Sequence, residues 1–297
     1  MKFHSFYKGT FYICIASVFW GMPQPLIFNE IKYVPPLEVA FHRGLWSFIF
    51  LCLILLSFVK IRDFIEIFNS KKNIIILSIT ASLITINWTG FIFAVSINKV
   101  QDASLGYFIT PMISILLGYF FLSEKINLLK FTSVSLMLIA IIFLFLNIKP
   151  YPYIALLIGT TWGIYGLLRK QINVRPALGL LYECTVISLF SFPYLIYIYI
   201  KGSGFFLNYN SFTTIFLIMT GIVTIFPLFF FNLGIKHISL GYAGVLFYLA
   251  PTFHFITSVF ILKEELHLVK LISFFIIWIG IIIFIIDVII KEKFYRE

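Results

Sequence analysis

Charged residues are scarce in this chain, and their scarcity excludes a soluble globular protein. Only 11% of the 297 residues are Asp, Glu, Lys or Arg, whereas 61% are hydrophobic and the mean hydropathy is +1.04. A soluble domain of this length needs far more polar side chains to cover its surface. The composition therefore predicts an integral membrane protein whose surroundings are the lipid bilayer.

Cysteine is also rare, and its spacing does not indicate a metal site. The three cysteines, Cys14, Cys52 and Cys184, all lie inside apolar runs without the spacing of metal ligands. We predict that they are packing residues, and we assign neither a metal site nor a cofactor.

The motifs of common enzymes are missing. The sequence has no G-x-S-x-G elbow, no H-E-x-x-H pair and no phosphate-binding glycine loop. We therefore expect no enzyme activity and assign no catalytic residue. The absence of a nucleotide-binding domain excludes an ATP-driven pump within this chain, which leaves facilitated diffusion, exchange or ion coupling.

Long apolar runs dominate the sequence instead. Runs of about 20 residues can cross a hydrocarbon layer of ~30 Å. We predict ten crossings, at about 9–28, 36–58, 74–97, 103–122, 127–147, 151–170, 177–200, 211–234, 241–262 and 267–290. The first run follows two lysines, but it is too long for a signal peptide and lacks a cleavage site, so we expect a retained helix.

Lysine and arginine are unevenly distributed between the two sides of these crossings. Fifteen fall in segments on the side of the N-terminus and six on the other side. Short cytoplasmic loops retain positive charge during insertion, so the pattern predicts a multi-pass inner-membrane protein with both termini in the cytoplasm. The same bias accounts for the net charge of +10, and we infer no nucleic-acid partner.

The two halves of the chain resemble each other. A shift of 140 residues places Pro111 on Pro251 and Glu124 on Glu264, and a shift of 142 places Trp20 on Trp162. A unit with five crossings must insert the second time in the opposite orientation. We therefore predict two inverted five-helix halves, residues 1–148 and 149–297, with a site at their interface. Glu124 would then face the cytoplasm and Glu264 the outside.

Several stretches together are similar to a known family. "WGMPQPLIFNEIKYVPPLEVAFHRGLWS" (20–47), "NWTGFIFAV" (87–95), "ASLGYFITP" (103–111), "YGLLRK" (165–170), "LYECT" (181–185) and "YLAPTFHF" (248–255) resemble the RarD branch of the EamA, or drug/metabolite transporter, superfamily. The resemblance implies a ten-helix carrier for small metabolites or drugs, with a cavity lined by the first, third, fourth and matching second-half helices. The chain departs from the branch at Thr110, where Asn is usual, and at Phe247, where Gln is usual.

Aromatic and polar side chains inside the crossings predict a pocket for an organic solute with apolar or planar parts. The candidate binding residues are Trp20, Gln24, Asn87, Trp88, Tyr107, Trp162, Tyr165, Tyr248 and His254. Gln24 and Asn87 would supply orienting hydrogen bonds. Because 20% of the chain is aromatic, packing or contact with lipid is the alternative for any single ring.

Ionised side chains inside a crossing usually face the protein interior. We hypothesise a gate near the outer mouth formed by Arg43 and Asp102, and one near the inner mouth formed by Glu183 with Arg169 or Lys170. Structural ion pairs between helices are the alternative.

Two prolines stand at matched positions within the crossings. Pro111 and Pro251 each lack a backbone donor and predict matched helix kinks that shape the pathway. A kink that serves packing alone would give the same sequence pattern.

These features together predict a secondary transporter that moves a small organic solute by alternating access. A flippase or scramblase of lipid-linked sugars is one alternative, and a non-transporting membrane sensor or assembly protein is another. The sequence also leaves open a homodimer.

Overall fold

The computed structural model describes residues 2–55, 61–147 and 153–294, and the regular elements in these ranges are all helical. The α-helices are α1 (Lys2–Gly21), α2 (Pro23–Glu30), α3 (Pro36–Leu55), α4 (Ile61–Ile65), α5 (Lys71–Ser96), α6 (Val100–Leu122), α7 (Leu128–Asn147), α8 (Tyr153–Lys170), α9 (Pro176–Ile200), α10 (Ser211–Gly234), α11 (Leu240–Leu246), α12 (Leu249–Ile256) and α13 (Leu268–Phe294). A 3-10 turn at Glu66–Asn69 follows α4, and a π-helical segment at Thr257–Ile261 follows α12.

Nine helical segments within the described ranges are long and apolar enough to cross a membrane. They coincide with nine of the predicted crossings, and the expectation of an all-α, multi-pass membrane protein is confirmed. The predicted sixth crossing corresponds to α8, whose 18 residues end in Arg169 and Lys170. These two charges lower its mean hydropathy, so α8 is not among the nine, and the count of ten stays a prediction.

Two of the predicted crossings are interrupted next to prolines. In the first, α1 ends at Gly21 and α2 begins at Pro23. In the ninth, α11 ends at Leu246 and α12 begins at Leu249. Pro251 has no N–H to offer the Phe247 carbonyl, which accepts instead from the Ala250 N–H at 2.9 Å. A tightened turn at Phe247 and Tyr248 therefore separates α11 from α12, and the kink at Pro251 stays a prediction. The side chain of Pro111 lies outside the described residues, and α6 continues through that position.

Contacts between the two predicted halves are reciprocal. The first helix of each half packs against the fourth helix of the other, since α1 contacts α12 and α8 contacts α6. The second helix of each half packs against the third of the other in the same way, as α3 does with α10 and α9 with α5. The two last helices, α7 and α13, pack against each other. The halves therefore form one interlocked bundle.

Small residues bring the first and fourth helices into close contact. A Cβ added to Gly159 on α8 would lie 2.6 Å from the carbonyl oxygen of Gly106 on α6. A Cβ added to Gly21 on α1 would lie 2.6 Å from the carbonyl oxygen of Ala250 on α12. Such backbone-to-backbone approach is typical of packing between membrane helices. It fixes the positions of the aromatic side chains next to these glycines.

Candidate functional site

Nine side chains from both predicted halves meet in the middle of the bundle and are called the central cluster below. They are Trp20, Gln24, Arg43, Asn87, Trp88, Tyr107, Trp162, Phe247 and His254. Seven of them are predicted binding residues. The cavity that they enclose has a volume of about 10 Å³, which is room for about one water molecule. The central cluster therefore leaves no space for an organic solute in this structure.

Aromatic contacts across the two predicted halves build most of the central cluster. The rings of Trp20 and Trp162, which match in the internal repeat, meet edge to face at 5.0 Å. Phe247 lies 5.4 Å from Trp162, nearly parallel, and 5.7 Å from Tyr107. Edge-to-face and offset-stacked contacts at these distances are favourable. Phe247 therefore contributes an apolar face to the central cluster.

Hydrogen bonds already engage some of the polar groups of the central cluster. The Asn87 amide donates to the Ile158 carbonyl at 2.9 Å and to Thr161 Oγ1 at 3.1 Å, and Asn87 Oδ1 accepts from the Tyr107 hydroxyl. Gln24 differs, because its Oε1 is buried without a donor among the described residues. Asn87 thus orients its neighbours in this closed arrangement, and Gln24 retains an unused acceptor.

Arg43 is the charged member of the central cluster and is only 1% exposed. Its Nε donates to Thr224 Oγ1 at 2.5 Å, and its guanidinium lies 4.3 Å from the Trp88 ring centre and 5.3 Å from that of Phe28. Within the described residues, Nη1 has no acceptor and no carboxylate lies within 4.0 Å of the guanidinium. A desolvated cation gains about 2 kcal/mol from a ring, whereas burying an ion costs several kcal/mol. The Arg43 charge is only partly compensated.

Arg169 is equally buried but has a carboxylate and an amide as partners, although its Nη1, like that of Arg43, has no acceptor among the described residues. Its Nε is 3.7 Å from Glu183 Oε1 and donates to Asn232 Oδ1 at 3.1 Å. Glu183 also accepts from the hydroxyls of Thr80 at 2.6 Å and Tyr165 at 3.3 Å. The network joins α5, α8, α9 and α10.

The predicted ion pairs are found in part. Arg169 faces Glu183, as one of the two predicted partners. Lys170 instead lies 3.7 Å from Glu124. Asp102 is paired with Lys270 at 2.8 Å and not with Arg43. The predicted Arg43–Asp102 pair was wrong because the first turn of α6, which carries Asp102, lies beside the start of α13.

Two predicted binding residues lie outside the central cluster. Tyr165 stacks on Trp162 at 5.1 Å, but its hydroxyl is directed to Glu183. Tyr248 packs in a second apolar cluster, where its hydroxyl donates to the Phe108 carbonyl at 2.9 Å. Neither side chain is part of the cavity wall, and both hydroxyls are hydrogen-bonded to protein groups.

His254 is buried in the central cluster among aromatic rings. It lies 5.2 Å from the ring of Phe91 and 5.4 Å from that of Tyr107. No group of three or more His, Cys, Asp or Glu in the described part of the chain could hold a metal ion.

Two matched glutamates cap helices of the opposite half. Glu124 accepts from the N–H groups of Leu240 and Gly241 at the start of α11, at 2.8 and 3.3 Å. Glu264 accepts from those of Val100 and Gln101 at the start of α6, at 2.9 and 3.0 Å. A carboxylate is stabilised at a helix N-terminus by free N–H groups and the helix dipole. We call these contacts the inner cap (Glu124) and the outer cap (Glu264).

The backbone before each cap is also matched. Ser123 and Lys263, the residues before the two glutamates, have left-handed φ angles of 55° and 57°. The N–H of Glu124 bonds the Gly118 carbonyl at 3.0 Å, and that of Glu264 bonds the Ser258 carbonyl at 2.9 Å. This geometry ends each helix and turns the glutamate towards the opposite half.

A groove of about 680 Å³ lies beside the outer cap, on the face predicted to be external. Its charged members include Lys32, Lys99, Asp102, Lys263, Glu264 and Lys270. Burial raises the pKa of Glu264, although the N–H groups of the outer cap and the nearby Lys270 oppose the shift. The groove is polar, in contrast to the aromatic central cluster.

The sequence alone did not predict that several of these residues belong to a site. Phe247 was noted only as a departure from the related branch, and the capping role of Glu124 and Glu264 was not inferred, although the repeat aligned them. Thr224 and Asn232, which bind the two arginines, carried only the weak signal of a polar residue in an apolar run.

The fold and the central cluster define a class: a multi-pass helical membrane protein with an aromatic and charged site between two interlocked halves. The sequence profile of the EamA-like transporter family matches residues 7–146 and again residues 151–286. The chain belongs to this family.

Individual relatives agree with this assignment. The chain is 33% identical to the uncharacterized transporter YojE of Bacillus subtilis over 281 residues, which cover 93% of each chain. It is 31% identical to the protein RarD of Escherichia coli over 287 residues, 96% of each chain. The resemblance to the RarD branch is thereby confirmed, and these similarities point to a transporter and not to an enzyme.

One solved crystal structure shares the fold. It matches with a TM-score of 0.65 over 93% of this chain and 96% of its own length. The sequence identity is 14%, so this likeness concerns the fold alone.

Proposed function

We propose that this protein is a secondary transporter that moves a small organic metabolite or drug-like solute across the inner membrane by alternating access. The moving parts are two inverted five-helix halves, residues 1–148 and 149–297. The two separate family matches, at 7–146 and 151–286, support this division. The proposed orientation has both termini in the cytoplasm, as the distribution of lysine and arginine favours.

One observation carries the proposal: residues that match in the repeat contact one another where the two predicted halves meet. Trp20 meets Trp162, Tyr107 meets Phe247, and the hydroxyl of Tyr248 donates to the carbonyl of its counterpart Phe108. Contacts between matched residues are expected along a two-fold axis that relates the halves. Transporters built from inverted repeats bind their solutes at such an interface.

The two caps supply the gates in this proposal. Both caps are formed and the central cavity holds about 10 Å³, so the structure represents a closed state. Releasing the outer cap would connect the central cluster to the polar groove, and releasing the inner cap would connect it to the other side. The matched backbone of the caps supports equivalent roles at opposite faces.

A flux assay in proteoliposomes tests the proposal. Amino acids, nucleosides, cofactors and drugs are first screened for thermal stabilisation of the purified protein, because a bound ligand raises its apparent stability. Saturable flux of a stabilising solute is the expected result, with reduced flux in Trp20→Ala, Trp88→Ala and Trp162→Ala. Trp278→Ala, which changes a tryptophan of α13 outside the central cluster, is the matched control and should retain flux. Normal flux in all three cluster variants, or no saturable flux of any solute, would contradict the proposal.

A further inference from the structure

Arg43 leaves a positive charge in the central cluster that the described protein groups do not neutralise. The guanidinium has one hydroxyl partner and two aromatic rings, and Nη1 has no acceptor. The cavity lining contains no aspartate or glutamate. A planar guanidinium matches a carboxylate better than any other common organic group.

We infer that the solute is a monoanionic carboxylate with an aromatic or apolar body, and that its carboxylate pairs with Arg43. Aromatic rings of Trp20, Trp162 and Phe247 would contact the body, which suits the largely apolar wall. Gln24 Oε1, which is also unpaired among the described residues, would accept a hydrogen bond from a neutral hydroxyl or N–H group of the solute.

The charge of the central cluster selects the charge of the solute. Arg43 is the single lysine or arginine in the lining, so a dianion would keep one charge unpaired after leaving water. A zwitterion would bring an ammonium group that finds no carboxylate there. The monoanion is the species that leaves the loaded site neutral.

The paired Arg169 shows why this reasoning does not extend to every buried arginine. Arg169 already has Glu183 at 3.7 Å and Asn232 at 3.1 Å, so a solute carboxylate would compete with a partner that is built into the fold. Arg169→Lys is therefore a matched control for changes at Arg43.

Binding is measured separately from flux, because the carboxylate site rests on the transport function proposed above. The probes are 3-phenyllactate, indole-3-acetate and benzoate, each compared with its uncharged carboxamide, and phenylalanine serves as the zwitterion. Titration calorimetry of the detergent-purified protein gives the dissociation constants, and flux of the same compounds in proteoliposomes tests transport.

We expect at least one carboxylate to bind at least about tenfold more tightly than its carboxamide, a difference of about 1.4 kcal/mol, and more tightly than phenylalanine. Arg43→Gln should abolish this preference, Arg43→Lys should retain part of it, and Arg169→Lys should leave it unchanged. Equal binding of acid and amide by the unmodified protein, tighter binding of phenylalanine, or a preference that survives Arg43→Gln would overturn the inference. If any of these results were found together with saturable flux of uncharged solutes, the carboxylate site would be refuted and the transport function would stand. The comparison of acid with amide uses the unmodified protein, so it does not depend on the folding of any variant.

Discussion

The two fully buried arginines, Arg43 and Arg169, have the same burial and different surroundings. Each is about 1% exposed, but only Arg169 has a carboxylate within 4.0 Å among the described residues. Arg169 joins helices through contacts with a carboxylate, an amide and a backbone carbonyl, whereas Arg43 lines the central cavity with one hydroxyl partner. Nη1 of each arginine lacks an acceptor among the described residues. In our proposal, this difference in partners distinguishes a charge that stabilises the fold from a charge that is available to a solute.

The comparison extends to the internal repeat. A shift of 140 residues places Arg43 on Glu183, so matched positions carry opposite charges. Glu183 is paired with Arg169 in the second half, whereas no carboxylate among the described residues lies within 4.0 Å of Arg43. Under the proposed division into two halves, the central cluster carries one charged side chain, which suits the proposed solute with one charged end.

The largest expected effect follows from removing the partner of Arg169. Glu183→Gln keeps the shape of the side chain but leaves a buried cation unpaired, which should lower the free energy of unfolding by about 3–5 kcal/mol. Thermal unfolding of the purified protein measures the loss. The double variant Glu183→Gln with Arg169→Met should recover part of it, and an unchanged melting temperature in Glu183→Gln would show that the network is not structural.

A smaller loss is expected when Arg43 loses its hydroxyl partner. Thr224→Val removes the acceptor that lies 2.5 Å from Arg43 Nε, and an unsatisfied buried donor costs about 1–3 kcal/mol. Thr220→Val is the matched control, because the Thr220 hydroxyl donates only to the Leu217 carbonyl of its own helix. Equal melting temperatures for the two variants would argue against a hydrogen bond to Arg43.

The two cap variants should lose similar amounts of stability but should expose the central cluster to opposite sides of the membrane. Glu124→Gln and Glu264→Gln each weaken a charged contact with a helix N-terminus, worth about 1 kcal/mol. We expect Glu264→Gln to increase the labelling of Phe247→Cys from outside and Glu124→Gln to increase it from inside. The accessibility of this cysteine to an impermeant maleimide, added to either side of oriented vesicles, measures the effect. Glu265→Gln is the control, and a shift of both cap variants towards the same side would refute opposed gates.

The smallest effect on stability is expected for Arg43→Met. This change removes a charge that has no carboxylate partner, so it leaves no ion unpaired, and the free energy of unfolding should change by less than about 1 kcal/mol. Thermal unfolding of Arg43→Met and of Glu183→Gln, measured under the same conditions, compares the two arginines directly. A loss as large as that of Glu183→Gln would mean that Arg43 is a structural ion with a partner of its own.

Much of the fold could be predicted from the sequence, because the membrane requires long apolar helices. The predicted crossing at 211–234 coincides with α10, and the aromatic residues of the repeat do meet at the centre. The interruption of the ninth crossing at Phe247 depends on local hydrogen bonds around Pro251, which hydropathy does not register.

Partners of the ionised residues were harder to predict, because they depend on how each helix is rotated and which neighbour it meets. Asp102 and Arg43 are close in predicted depth, yet Asp102 meets Lys270 on α13 and Arg43 meets Thr224 on α10. The repeat identified matched residues such as Glu124 and Glu264, but it could not indicate that each caps a helix of the opposite half. Those contacts required the packed structure.

The most direct test of the account is the membrane side of residues 125 and 265, which follow the two capping glutamates. Lys125→Cys and Glu265→Cys are introduced separately after Cys14, Cys52 and Cys184 have been replaced, and intact cells are treated with an impermeant maleimide. Opposed halves predict that residue 265 reacts in intact cells and that residue 125 reacts only after the membrane is permeabilised. Labelling of both positions from the same side would contradict the inverted arrangement and, with it, the proposed alternating access.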